Sequence, residues 1–217
     1  MNICFVGDSH APKILAQAAM AKGFAITNHI AGADLVFVSQ DTPVAHDGER
    51  NLMGIMRLVQ EARSVTKQPI VLSSQVTPGF TRQFADPIYH MAETLRIKDA
   101  MERALNPEQI ILGCRYPPSP LPKALAIYCE AFACPVLKMS YEEAEFSKIA
   151  INLFLAAQVD ATNRLSKAAA KIGADWKTVS QTLKNDRRIG PHAYLEPGRW
   201  QDSLHLLRDA YWLDSHA

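Results

Sequence analysis

A chain of 217 residues can hold one or two domains with a real core, and 48% hydrophobic with 21% charged residues is ordinary for a soluble globular protein. Lysine plus arginine (23) against aspartate plus glutamate (22) leaves a formal charge of +1, which gives no footprint for nucleic acid or an acidic membrane. No apolar run approaches the roughly 20 residues needed to span a bilayer, and four scattered cysteines without a Cys-x-x-Cys pair suggest neither a metal site nor a disulfide framework. The N-terminus enters a strand pattern directly instead of a secretory signal, so a reducing cytoplasm is the expected setting.

The chain opens on Asn2-Ile3-Cys4-Phe5-Val6-Gly7, an apolar run that reads as a buried strand, with a helical pattern from about Pro12 to Lys22. A dinucleotide site wants Gly-x-Gly-x-x-Gly at that junction; Gly7-Asp8-Ser9-His10-Ala11-Pro12 offers one glycine of three. Pro12 has no N–H to donate, and Asp8 sets a carboxylate where a phosphate would lie. A helix cap is the simpler role for Asp8 or Ser9. Phe24 to Ile30 then reaches the Ala33-Asp34 strand almost at once, with no carboxylate after Gly23 and no room for a β-α-β unit of about 30 residues.

Further strand-like runs fall at 34–39, 69–74, 109–113 and 135–138, separated by helical patterns at 49–65, 79–86, 94–104 and 120–133. That alternation predicts an α/β fold with a parallel sheet. Tyr116-Pro117-Pro118-Ser119-Pro120 reads as a rigid loop before a helix. From about Ser140 the pattern becomes one long helix to Ile172, ended by Gly173, with shorter helices at 175–184 and 201–213. The expected division is a sheet domain over 1–139 and a helical one over 140–217.

Lys148 and Asn152 lie four apart, on one face of the long helix, in alanine-rich apolar surroundings. Pointing inward together they need a partner, and an anion or oxyanion is one; the alternative is a Lys148–Glu145 salt bridge on a solvated face. Glu93 has Arg96 three residues on as an ordinary helical ion-pair partner. His205 and Asp209 are also four apart, so the carboxylate either orients the imidazole as a general base or forms a surface pair with it. Asp8-Ser9-His10 is no triad, because adjacent residues cannot arrange themselves that way. Arg187-Arg188 either meet a phosphate across a dimer or are solvated charge. Trp176, Trp200 and Trp212 read as packing residues.

Ala144-Glu145-Phe146-Ser147-Lys148-Ile149-Ala150-Ile151-Asn152, with Arg188-Ile189-Gly190 after it, resembles the Ala-Glu-x-x-Lys-x-x-x-Asn helix and Arg-Ile-Gly of the nucleotide-sugar dehydrogenases, the UDP-glucose/GDP-mannose dehydrogenase family. Ala33 to Val38 with Thr42-Pro43 and Asp47-Gly48 is similar to that family's strand, Thr-Pro turn and Asp-Gly loop. Ser74-Gln75-Val76-Thr77-Pro78-Gly79-Phe80-Thr81 resembles its Ser-Thr-Val-Pro-Pro-Gly-Thr-Thr, and Glu93-Thr94-Leu95-Arg96 its Glu-Phe-Leu-Arg. Departures accompany the matches. Where the family has Gly-Phe-Gly-Gly-Ser-Cys-Phe-Pro-Lys-Asp, this chain reads Trp200-Gln201-Asp202-Ser203-Leu204-His205-Leu206-Leu207-Arg208-Asp209, with His205 at the nucleophile's position.

The resemblance implies a reduced Rossmann-like sheet followed by an all-helical dimerisation region, a homodimer through the helix near 140–172, and a sugar nucleotide or other small anion as ligand. It implies Lys148 and Asn152 at an oxyanion, Glu93 in a hydrolytic step, and Asp209 positioning the nucleophile or a water. NAD enters by resemblance alone, with Gly7, Thr42, Pro43 and Ser74 as weak contacts and no metal. Family enzymes continue into a further nucleotide-sugar domain that has no counterpart in these residues. Their two hydride transfers to NAD need a thiolate for the second step, and histidine does not substitute readily. The expectation is therefore a degenerate member acting in binding or assembly; the alternative is a reduced NAD-dependent oxidoreductase limited to the alcohol-to-aldehyde stage.

Overall fold

The computed structural model describes residues 1–44 and 50–216; Asp47-Gly48 lie outside the described residues. The chain divides into two compact units, Met1–Lys148 and Ile149–Ala217.

The first unit is built on a seven-stranded sheet: β1 (Asn2–Val6), β2 (Ala25–Thr27), β3 (Leu35–Val38), β4 (Ile70–Leu72), β5 (Ile88–Met91), β6 (Ile110–Gly113) and β7 (Val136–Met139), in the order β2-β1-β3-β4-β5-β6-β7. Every neighbouring pair is parallel except β5 with β6. The helices of this unit are α1 (His10–Ala21), α2 (Met53–Val65), α3 (Ala100–Leu105) and α4 (Lys123–Glu130). Leu35-Val36-Phe37-Val38 is buried throughout, as a central strand covered on both faces must be. Leu35 and Phe37 join Ile3, Leu112 and Tyr128 in one core cluster, while Val36 and Val38 join Ile55, Val59 and Ala62 of α2 in the other. Phe37 stacks on Phe5 with ring centroids 4.9 Å apart and meets Tyr128 at 4.7 Å.

Two strands escape the sequence pattern. β2 is three residues long, and its pairing with β1 supplies an outer strand where the sequence predicts none; what separates it from β3 is a single 3-10 turn at Ile30–Gly32. β5 carries a histidine within four residues, and the helix predicted over 79–86 shrinks to a 3-10 turn at Thr81–Gln83 before it. The helix predicted over 94–104 begins only at Ala100, so Glu93 lies in a loop and Arg96 pairs with Asp99 instead of with it.

The long helix α5 (Tyr141–Lys171) contains the boundary between the units. Its first turns approach the sheet closely over Gly113: a Cβ there would lie 2.8 Å from the Ala144 Cβ and 3.2 Å from the Tyr141 Cα. Past its end, Gly173 at φ +74° takes the left-handed conformation that stops a helix, and the Ala174 N–H reaches back to the Ala169 carbonyl. The second unit adds α6 (Trp176–Asn185), capped by the Asp175 carboxylate on the Lys177 and Thr178 N–H groups, and α7 (Leu204–Asp214). Between them the backbone of 194–198 is tied to α5 by polar side chains. Gln158 Oε1 accepts from the Tyr194 N–H, Thr162 Oγ1 donates to the Tyr194 carbonyl, and Asn163 bonds both the N–H and the carbonyl of Gly198. Trp176 and Trp200 donate to the Leu195 carbonyl and to Asp160.

Candidate functional site

Ligands of open parallel sheets bind beyond the carboxyl ends of the strands, and Gly7, Thr42 and Ser74 follow β1, β3 and β4 there. Gly7, at φ +120°, is glycine for a reason internal to the protein: a Cβ would stand 1.7 Å from the Ser39 carbonyl oxygen. Ser9 occupies the N-cap of α1 without a side-chain capping bond, and Pro12 is buried in the first turn, where proline is tolerated because no N–H is required. The hydroxyls of Thr42 and Ser74 knit two loops together: Thr42 Oγ1 donates to the Gln75 carbonyl at 2.6 Å, and Ser74 Oγ accepts from the Gln40 N–H at 2.8 Å. Arg50 adds a second donor to the same carbonyl at 3.2 Å. Pro43 is exposed between them.

Glu93 follows β5 in the same unit. Its Oε1 accepts from the Leu95 N–H. Burial pushes its carboxyl upward from its ordinary value, against the lowering effect of the Lys148 ammonium and of that N–H. Lys148 is thus close enough to act electrostatically on Glu93. The solvated Lys148–Glu145 arrangement is not what the helix presents. Glu145 is 1% exposed and accepts from the Gly79 N–H at 2.5 Å and the Thr81 N–H at 2.8 Å. No feature of composition marks Glu145 as an anchor for this loop; the sole pointer was its place in the Ala-Glu-x-x-Lys pattern.

In the second unit Asn152 and Asp209 come together. Asp209 is fully buried, Asn152 is 5% exposed, and the Asn152 amide donates to Asp209 Oδ2 at 2.7 Å. Sequence spacing gave no sign of this bond across 57 positions. His205 sits on the exposed side of α7, with its Nδ1 3.3 Å from Arg208 Nη2. Arg187 is exposed and Arg188 pairs with Asp186. Among the described residues no group of three or more His, Cys, Asp or Glu side chains could hold a metal ion.

The buried amide–carboxylate bond has a measurable consequence. Asn152→Ala leaves a buried carboxylate short of a donor, a loss of about 2 kcal/mol of unfolding free energy. Asn152→Asp, which sets a second carboxylate against the first, should cost at least as much. Urea unfolding of the two variants checks both, and an unchanged midpoint for Asn152→Ala would remove the bond from the account.

Residues 142–211 match the family described as UDP-glucose/GDP-mannose dehydrogenase family, central domain. The chain is 26% identical over 175 residues to the UDP-glucose 6-dehydrogenase YwqF of Bacillus subtilis, covering 74% of this chain and 39% of that protein. It is 25% identical over 201 residues to a UDP-glucose 6-dehydrogenase of Pseudomonas aeruginosa, covering 84% and 43%. The fold is similar to that of a UDP-D-ManNAc dehydrogenase from Pyrococcus horikoshii, with a TM-score of 0.78 at 14% identity, over 100% of this chain and 65% of that one. The chain therefore spans about two fifths of the length of these curated relatives. The chain is thus similar to part of the length of the UDP-glucose 6-dehydrogenases, and its residues 142–211 match the central domain of the UDP-glucose/GDP-mannose dehydrogenase family.

Proposed function

We propose that this chain uses the family scaffold for binding or assembly instead of the NAD-dependent four-electron oxidation of a nucleotide sugar. The observation that carries the reading is the state of the second unit's polar groups. Where a thiol nucleophile is needed the chain has an exposed histidine, and the carboxylate four residues on is buried against the Asn152 amide at 2.7 Å. Two of the four inherited site groups satisfy each other. The coenzyme end agrees. Of the three glycines a pyrophosphate cradle uses, the chain keeps Gly7, whose bare face meets the Ser39 carbonyl, and has Ser9 and Pro12 at the other positions. No carboxylate follows β2 for an adenosine ribose. These residues do not fit a dinucleotide.

A second reading, a reduced oxidoreductase, is favoured by one observation: Glu93 and Lys148 remain electrostatically coupled beyond the end of β5. Calorimetric titration with NAD, NADH, UDP-glucose and GDP-mannose separates the two. Binding or assembly predicts no saturable response to either coenzyme form, with or without a response to the sugar nucleotides. Saturable heat with NAD overturns it.

Assembly would use α5. Phe154, Ala157, Ala161, Leu165 and Ala168, with Ile172 just past its end, recur at the three-and-four spacing of one helix face, and all are exposed, Phe154 by 73% and Ile172 by 81%. Alanines between the large side chains let a second helix approach, and a second copy of this chain offers the complementary stripe. Sedimentation should give a dimer, and Phe154→Glu with Leu165→Glu a folded monomer. A wild-type monomer at high concentration would discard the pairing. The four cysteines stand as free thiols, which suits a reducing cytoplasm.

A further inference from the structure

α4 closes on a strained residue. Among the described residues Ala133, at φ +51°, is the one residue other than glycine with a positive φ, a region that crowds the Cβ of an L-residue. Backbone strain of this kind collects at functional positions. α1 and α5 close with a glycine instead, Gly23 at φ +88° and Gly173 at φ +74°. Each of these glycines donates its N–H to the carbonyl three residues back, to Met20 at 2.9 Å and to Ala170 at 3.3 Å. The residue after each donates to the carbonyl five back, Phe24 to Ala19 at 3.1 Å and Ala174 to Ala169 at 2.9 Å.

Ala133 repeats the first of these bonds, its N–H reaching the Glu130 carbonyl at 3.3 Å. The same chain path folds Cys134 back over Cys129, five positions before it, and at helix ends of this kind the two side chains commonly touch. A disulfide needs Cα atoms about 4.4–6.8 Å apart, a separation that residues joined across one helical turn reach. Both cysteines are free thiols, Cys129 buried in the core cluster of the first unit and Cys134 half-buried against it. Each thiol stands within electrostatic reach of the other: burial, then Cys134, then Glu130 push the Cys129 thiol up to about 12. Burial raises Cys134 as well, with the Lys22 ammonium working against it.

We propose that Cys129 and Cys134 form a reversible dithiol–disulfide pair, a redox-sensitive staple across the turn from α4 into β7 that hydrogen peroxide closes. Cys134, the thiol that solvent reaches, attacks one peroxide oxygen. The O–O bond breaks, Cys134 becomes a sulfenic acid, and its proton leaves with the other oxygen as water. The Cys129 sulfur then attacks the Cys134 sulfur, the S–O bond breaks, and a second water carries off the Cys129 proton. The two thiols lose two electrons and the peroxide gains them. No group of the candidate site takes part, so the pair stands or falls apart from the reading above.

The test treats the reduced protein with hydrogen peroxide, blocks the remaining thiols by alkylation, and weighs the tryptic peptide 124–138, which holds both cysteines. That peptide should lose two hydrogens, carry no alkyl group, and regain both thiols in dithiothreitol. Cys129→Ser removes the thiol that resolves the sulfenic acid, so Cys134 should run on to the sulfinic acid about tenfold faster than in the wild type. If that variant does not fold, the wild-type peptide decides alone. Two thiols still open to alkylation after peroxide, a disulfide to Cys4, to Cys114 or between chains instead, or equal sulfinic acid in wild type and Cys129→Ser would each overturn the proposal.

Discussion

Lowering the pH from about 7.5 to about 4 is expected to remove about 3 kcal/mol of stability through a single imidazole, that of His90. This residue sits on β5, in register with Leu72 on one side and Gly113 on the other, and is 1% exposed. Its Nδ1 has no hydrogen-bond partner among the described residues, and burial pushes its pKa from 6.5 down to about 3. The sign follows directly. Below 6.5 the unfolded chain takes up a proton that the folded chain refuses until about pH 3. Unfolding therefore gains proton affinity as pH falls, and the stabilisation present above pH 6.5 is progressively lost. The measurement is urea unfolding of the wild type and His90→Leu at both pH values. The wild type should lose about 3 kcal/mol more than the variant, each pKa unit being worth about 1.4 kcal/mol. Parallel losses would mean that the imidazole titrates normally.

Glu145→Ala is expected to cost about 3 kcal/mol, because the Glu145 carboxylate receives the Gly79 and Thr81 N–H groups and each orphaned donor costs about 1–3 kcal/mol. The effect reaches the candidate site, since this carboxylate joins the loop after β4 to the turn of α5 that precedes Lys148. Glu145→Gln keeps the shape but aims an amide N–H₂ at one of the two donors, so it should recover only part of the loss. Denaturant melts of both variants check the order. A Glu145→Ala protein within about 0.5 kcal/mol of wild type, the range of an unremarkable surface change, would show the loop to be held by other contacts.

The main frame was legible in the residues. Continuous apolar runs such as Leu35 to Val38 announce buried parallel strands, and the alanine-rich pattern closed by Gly173 announces α5. What escaped was short or nonlocal. β2 has three residues and β5 contains a buried histidine, so neither shows a period, and only pairing with β1, β4 and β6 makes them strands. The stretch 79–86 looked helical but is held as a turn by a carboxylate from α5, a contact between positions 64 and 66 residues apart. At the candidate site, the motif pattern picked out Lys148, Asn152, Glu93 and Asp209 by position, but not that Asn152 and Asp209 would face each other. Nor could spacing reveal that the glycine at position 7 answers to the Ser39 carbonyl. Residue identity is written in the chain; which groups spend their hydrogen bonds on each other is decided by packing.

The most direct test mixes the protein, at a concentration matching that of NAD, with UDP-glucose or GDP-mannose and follows the nicotinamide absorbance through a single turnover. A scaffold with His205 at the nucleophile's position and no coenzyme cradle predicts no reduced coenzyme from either substrate at any time. A burst of NADH stoichiometric with the protein would contradict the account.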